Sequence, residues 1–160
     1  MAVFEREARV DAPFETVWRF HSRIQGLEAL TPGFLNLEIE RVIGPDGERN
    51  PDALAAGTRA YASVRPFGVG PRRRWVSVIV EREEGEDAAH FVDEMEGGPF
   101  PRWRHTHRFE RDGDGTVVRD RVEYRLPCGR LGAVAAALGD LGFEPMFRYR
   151  HHRTRTLLEG

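Results

Sequence analysis

The chain has 160 residues, 40% hydrophobic and 31% charged, with a formal net charge of -2, which fits one ordinary globular domain over residues 1–160 and disfavours nucleic acid as a partner. Every one of the 24 residues counted as Lys or Arg is arginine, so Schiff-base lysine chemistry, Ser–Lys nucleophiles and the phosphate-loop lysine are excluded. A single cysteine, Cys128, forbids an intramolecular disulfide or a two-cysteine zinc pair and points to a reducing cytoplasm, while a charged N-terminus and the lack of a run of about 18 apolar residues argue against secretion or a membrane span.

Residues 3 to 10 alternate loosely and read as a first strand. Asp11 and Pro13 mark a helix start with Glu15 in its first turn, and Phe14, Val17, Trp18 and His21 follow at i, i+3, i+4 and i+7. Ile24, Leu27 and Leu30 give a second short helix stopped by Pro32-Gly33. Six strands then follow, at roughly 36–43, 58–66, 72–82, 88–96, 102–111 and 116–126, separated by Gly-, Pro- and Asp-rich turns, which is the text of an antiparallel meander. The last 30 residues return to helical period at Leu131, Val134, Ala135, Leu138, Phe143, Met146, Phe147, Arg150, Leu157 and Leu158, with a break or kink expected around Gly139, Gly142 and Pro145.

This order predicts an α+β fold: a seven-stranded curved antiparallel sheet wrapped around a long C-terminal helix, with two short helices after the first strand. A sheet with one face in water must bury the other, and the terminal helix is the large apolar element left to cover it. Strong twist around one helix leaves a concavity, so the fold itself predicts a pocket.

Turn positions fix which residues meet. A turn centred on Pro99 pairs Asp93 with His105, Phe91 with His107 and Met95 with Trp103; the Asp112–Gly115 turn sets His107 opposite Asp120, His105 opposite Val122 and Trp103 opposite Tyr124. By period 2, Trp103, His105, His107 and Phe109 share the inward face, and Arg104, Thr106, Arg108 and Glu110 face solvent. Asp93, His105, His107 and Asp120 therefore form a polar cluster within a ring of Phe91, Met95, Trp103, Phe109, Val122 and Tyr124.

The cluster admits several chemistries. It can be a satisfied buried network in which each carboxylate fixes a histidine tautomer. It can offer polar partners to the carbonyl or hydroxyl of an apolar guest, or act as general acid and base with Asp93, His105, His107 and Asp120 as catalytic candidates. His105 and His107 at i, i+2 could share a metal ion, but no surrounding spacing supports one, and neither metal nor cofactor is expected. Trp75, Ser77 and Ile79 share a face that could line the same cavity. On the 58–66 strand, Ala60, Ala62 and Val64 read as the buried parity, against Tyr61 and Arg65. Cys128 reads as a structural thiol, and His21, His90, His151 and His152 have no assignable partner.

With these residues in place the chain resembles the START-like, helix-grip (SRPBCC) superfamily. Phe91-Val92-Asp93, Gly98-Pro99-Phe100, the 103–109 run from Trp103 to Phe109, Asp120-Arg121-Val122-Glu123-Tyr124, the 126–132 run from Leu126 to Gly132 and Phe147-Arg148-Tyr149-Arg150 are similar to a cyclase/dehydrase-like, ligand-binding branch. The resemblance implies a hydrophobic cavity for an aromatic, polyketide-, isoprenoid- or lipid-like molecule, rather than a particular reaction. Ligand-contacting residues are then expected at Asp93, Met95, Trp103, His105, His107, Asp120, Tyr124, Phe91, Phe109, Trp75 and Phe147. The connection from Ile79 to Phe91 is about three residues longer than expected for the branch, which leaves the facing of Trp75 open. A binding protein is the first expectation. A cyclase or dehydratase-type enzyme is the alternative, and an interaction module, as a homodimer or beside a partner enzyme, would instead expose an apolar patch on sheet or helix.

Overall fold

The computed structural model describes residues 2–98, 100–126 and 132–159, with the backbone alone for 132–142. The elements run β1 (Ala2–Val10), α1 (Phe14–His21), α2 (Ile24–Leu30), β2 (Glu38–Ile43), β3 (Arg59–Val64), β4 (Arg73–Glu84), β5 (Ala88–Glu96), β6 (Arg102–Asp112), β7 (Gly115–Arg125) and α3 (Gly132–Leu158). They form one seven-stranded sheet in the order β1-β7-β6-β5-β4-β3-β2. Successive strands from β2 to β7 are hairpin neighbours, and β1 closes the far edge by pairing antiparallel with β7, Phe4 opposite Val122 and Ala8 opposite Val118. This is the expected helix-grip architecture.

Both hairpin registers around the cluster are as the turn positions require. Phe91 faces His107 and Asp93 faces His105 across β5 and β6, while His107 faces Asp120 and Trp103 faces Tyr124 across β6 and β7. The β5–β6 ladder ends at Glu94 and Arg104, one step short of the expected Met95–Trp103 pair. Gly97 takes φ 71°, a left-handed conformation in which glycine carries no Cβ penalty, and turns the chain away at that point.

One residue of the connection before Phe91 is taken up by a β-bulge. Ile79 pairs with Asp93 but Glu81 pairs with Val92, so Val80 has no opposite residue and is 40% exposed. A bulge adds one residue to one strand and leaves the parity on either side intact relative to the partner. Trp75, Ser77 and Ile79 consequently face inward with Asp93. Ala60 and Ala62 are buried as expected, and Tyr61 faces out under the Arg41 guanidinium.

Two helices, not one, cover the sheet. α3 packs Phe143 and Phe147 onto Phe4, Val122 and Tyr124. α1 covers the other end, where Val17 and Trp18 sit on Phe91, Phe109 and Val118. The helical spacing of Phe14, Val17, Trp18 and His21 produces this, since all four are buried. α2 then turns tightly off α1 at Gly26, where a Cβ would come within 2.3 Å of the Phe20 carbonyl oxygen.

Of the expected break or kink in the terminal helix, the break does not occur: α3 runs as one helix through Gly139, Gly142 and Pro145. Pro145 is exposed, so the carbonyl that loses its N–H partner can face water. Phe143, Phe147, His151 and Thr154, all buried on the opposite side, hold the helix against the sheet. Cys128, Pro99 and Leu131 lie outside the described residues, as do the side chains of Val134, Ala135 and Leu138. On the outer face, arginines of neighbouring strands pair with carboxylates, Arg119 with Glu7 and Glu110 and Arg104 with Glu94.

Candidate functional site: a cavity with an Asp/His wall

Successive residues of one parity on β6, His105 and His107, stack their imidazoles 3.6 Å apart, and the adjacent strands supply Asp93 and Asp120 on either side. The hydrogen bonds run diagonally rather than straight across. His105 Nε2 lies 2.7 Å from Asp120 Oδ1, and His107 Nε2 lies 2.7 Å from Asp93 Oδ2, with the directly opposed contacts longer at 3.8 and 3.6 Å. Each imidazole thus spans both carboxylates. Asp120 receives a further bond on its other oxygen from His151 of α3, at 2.6 Å, which ties the helix to the centre of the sheet.

Burial and pairing set the charges. Burial works to raise both carboxyls, but hydrogen bonds from histidines and their charge outweigh it, leaving Asp93 below its ordinary value and Asp120 well below it. Both are ionised, and an ionised carboxylate only accepts, so the facing imidazole nitrogens are N–H donors. Burial, with His105 alongside, pushes His107 down to about 4, and burial pushes His21 down to about 3. His107 and His21 are neutral near pH 7. His21 Nδ1 donates to the Val17 carbonyl at 2.8 Å, and its ring meets Phe109.

One side of this cluster faces a cavity of about 330 Å³. Its walls are Ala60, Val64, Trp75, Ile79, Phe91, Met95 and Trp103 from the sheet, with Asp93, His105 and His107 as the polar strip. Phe143, Met146, Phe147 and Arg150 of α3 and Ile24, Leu27 and Leu30 of α2 close the other sides, with Leu35 and Leu37 after them. An apolar chamber with a few convergent polar groups is what a small-molecule site requires.

Of the expected contact residues, Phe91, Asp93, Met95, Trp103, His105, His107, Trp75 and Phe147 line the cavity. Asp120, Tyr124 and Phe109 do not: Asp120 lies behind the imidazoles, Tyr124 under Phe143, and Phe109 beneath Trp18 in the α1 core. The wall contributed by α2, together with Arg150 and the His151 bond to Asp120, went unread in the sequence. The signal for His151 was available, because 143, 147, 151 and 154 fall on one helical face and two of them are phenylalanine.

Asp93, His105 and His107 each offer a donor atom within 4.8 Å of the others, the spacing of a potential metal site. Their geometry does not favour it. The two rings lie nearly alongside, tilted by 32°, so their in-plane lone pairs run beside one another instead of converging on one point. The His107 nitrogen is already committed to Asp93.

A curved antiparallel sheet gripping a C-terminal helix around an apolar chamber defines a START-like fold. Residues 10–141 match the family described as polyketide cyclase / dehydrase and lipid transport, and the chain belongs to that family. No curated protein sequence matches it. Among solved structures it is similar to protein CV1439 from Chromobacterium violaceum, at 14% identity and TM-score 0.70 over 99% of this chain and 98% of that one. It is also similar to a START superfamily protein from Mycobacterium smegmatis, at 13% identity and TM-score 0.64 over 98% and 99% of the two chains. Norcoclaurine synthase from Thalictrum flavum, solved with dopamine and hydroxybenzaldehyde, is similar at 20% identity and TM-score 0.64, over 98% of this chain and 86% of that one. At these identities the likeness is one of fold. No helix among the described residues is long and apolar enough to cross a membrane.

Proposed function

We propose that the chain is a single ligand-binding domain that holds a small, largely hydrophobic molecule between sheet and helices. The observation that carries this reading is the chamber itself, apolar on nearly every wall and bordered by Asp93, His105 and His107 along one strip. Its volume is about twice that of an engineered protein cavity known to admit benzene, which suits a guest of about two rings or a short aliphatic chain. The interaction-module reading has one small exposed patch, where Phe34 stacks on Phe67 with centroids 5.0 Å apart and Val69 lies two residues on, whereas Val3, Val80 and Leu157 are scattered singly over sheet and helix.

The test is native mass spectrometry of freshly purified protein, followed by calorimetric titration with a panel of neutral aromatic and aliphatic probes. A copurified small molecule or saturable one-to-one binding supports the reading. No bound mass and no binding across the panel contradict it.

A second reading, an acid/base enzyme of the cyclase or dehydratase type, is favoured by one feature. An ionised Asp93 and a neutral His107 stand together on the cavity wall, where a guest could exchange protons with them. Asp93→Asn separates the two. As a binding protein the variant keeps its affinity and changes only its selectivity, whereas as an enzyme it binds and no longer turns its substrate over.

A further inference from the structure

The apolar cavity carries one cation, Arg150, that no acid among the described residues neutralises. Arg150 reaches the wall from α3, between Phe147 and the α2 side. Its Nε is buried without a hydrogen-bond partner. No carboxylate or carbonyl among the described residues pairs with its guanidinium, and its one partner is the Phe147 ring, with Cζ 5.9 Å from the centroid, at the outer limit of a cation–π contact.

Of the neighbouring arginines on α3, Arg153 also has a buried Nε without a partner but does not line the cavity, and two others are paired. Arg148, two residues earlier, pairs with Glu144 at 3.2 Å, and Arg155 donates to the Arg9 carbonyl at 3.0 Å. The acids nearest the chamber are committed as well, Asp93 to His107 and Asp120 to His105 and His151. Arg150 therefore has donors to spare beside an apolar surface, and its buried, unpaired Nε–H is a cost in the free protein that an acceptor arriving with the guest would offset. Its field also acts on buried His21, where it opposes protonation.

We infer that the ligand is an amphipathic monoanion whose carboxylate is held by Arg150 while its aromatic or aliphatic body fills the chamber. A guanidinium presents a planar fork of N–H donors that matches a carboxylate in two parallel bonds. The other polar strip, Asp93 with its ionised oxygen, repels an anion, so the acid group is steered to the α3 side and away from the imidazoles. This inference rests on the ligand-binding reading and adds the charge and orientation of the guest.

Matched probe pairs test it. Isothermal titration calorimetry compares 1-naphthaleneacetate with neutral 1-naphthaleneacetamide, and decanoate with decanamide, on the wild type and on Arg150→Gln, Arg150→Lys and Arg148→Gln. The acids should bind the wild type about tenfold more tightly than the amides, equivalent to about 1.4 kcal/mol. Arg150→Gln should erase that preference, bringing acid and amide to the same affinity, Arg150→Lys should keep part of it, and Arg148→Gln should keep all of it. If the amides bind but the acids gain nothing, or if Arg150→Gln weakens acid and amide alike, Arg150 is a packing residue and the inference falls while the ligand-binding reading stands. If no member of either pair binds the wild type, both fall together.

Discussion

Acid should weaken this fold well before its carboxylates titrate. His107 is held down to about 4 and His21 to about 3, both from 6.5, and burial is the largest cause for each. A histidine with a depressed pKa binds fewer protons folded than unfolded, so its contribution is fully present above about pH 6.5 and is lost as pH falls toward the folded value. By about pH 5 each of the two has given up roughly 2 kcal/mol, at 1.36 kcal/mol per unit. Asp93 and Asp120 act in the same direction only below their ordinary 3.8, so they add nothing in this window. Urea denaturation followed by tryptophan fluorescence at about pH 7.5 and about pH 5 should show a loss of about 4 kcal/mol, a midpoint shift on the order of 2 M with unchanged slope. His107→Gln should remove about half of the pH dependence. A midpoint that stays constant or rises on acidification would refute the reasoning, because it would mean that these imidazoles are protonated in the folded protein.

Three further outcomes follow from named contacts. His105→Ala strips Asp120 of one hydrogen bond and opens the cavity wall, and should cost about 1–3 kcal/mol in urea denaturation near neutral pH; an unaltered midpoint would place His105 outside the network. Gly26→Ala sets a methyl against the Phe20 carbonyl, and should cost about 1–3 kcal/mol as α2 is pushed from α1, read as a lowered Tm with changed probe affinity because α2 walls the chamber. Because the Asp93 and His107 donors already satisfy each other, EDTA should leave the Tm unchanged and elemental analysis should return no stoichiometric transition metal; about one ion per chain would reassign the Asp93, His105 and His107 group as its ligands.

Much of the geometry was legible because hairpin register is arithmetic. Placing two turns was enough to bring Asp93, His105, His107 and Asp120 together on one face, since a one-residue slip would have reversed every side chain. Parity, however, gives the face and not the depth. Phe109 shares its parity with Trp103, His105 and His107, yet it lies under α1 while they border the cavity, because which helix covers a given point of a sheet depends on tertiary packing that period 2 does not encode. Asp120 is inward by the same rule but is screened by the imidazoles bonded to it. The bulge at Val80 was not legible in the sequence, since only strand pairing settles that Val80 is the residue without an opposite partner. Pro145 was read for its local cost, which the buried face of α3 overrides.

The central claim is that a small hydrophobic guest occupies the chamber between β3–β6, α2 and α3. The three tryptophans report on it separately: Trp75 and Trp103 line the cavity, whereas Trp18 lies in the α1 core with its indole N–H donated to Glu84 at 2.7 Å. In a titration with 1-naphthaleneacetamide followed by ¹H–¹⁵N NMR, the indole signals of Trp75 and Trp103 should shift together and saturate at one equivalent while that of Trp18 holds still. Saturating probe that leaves Trp75 and Trp103 in place, or that moves Trp18 as much as the other two, would contradict the account.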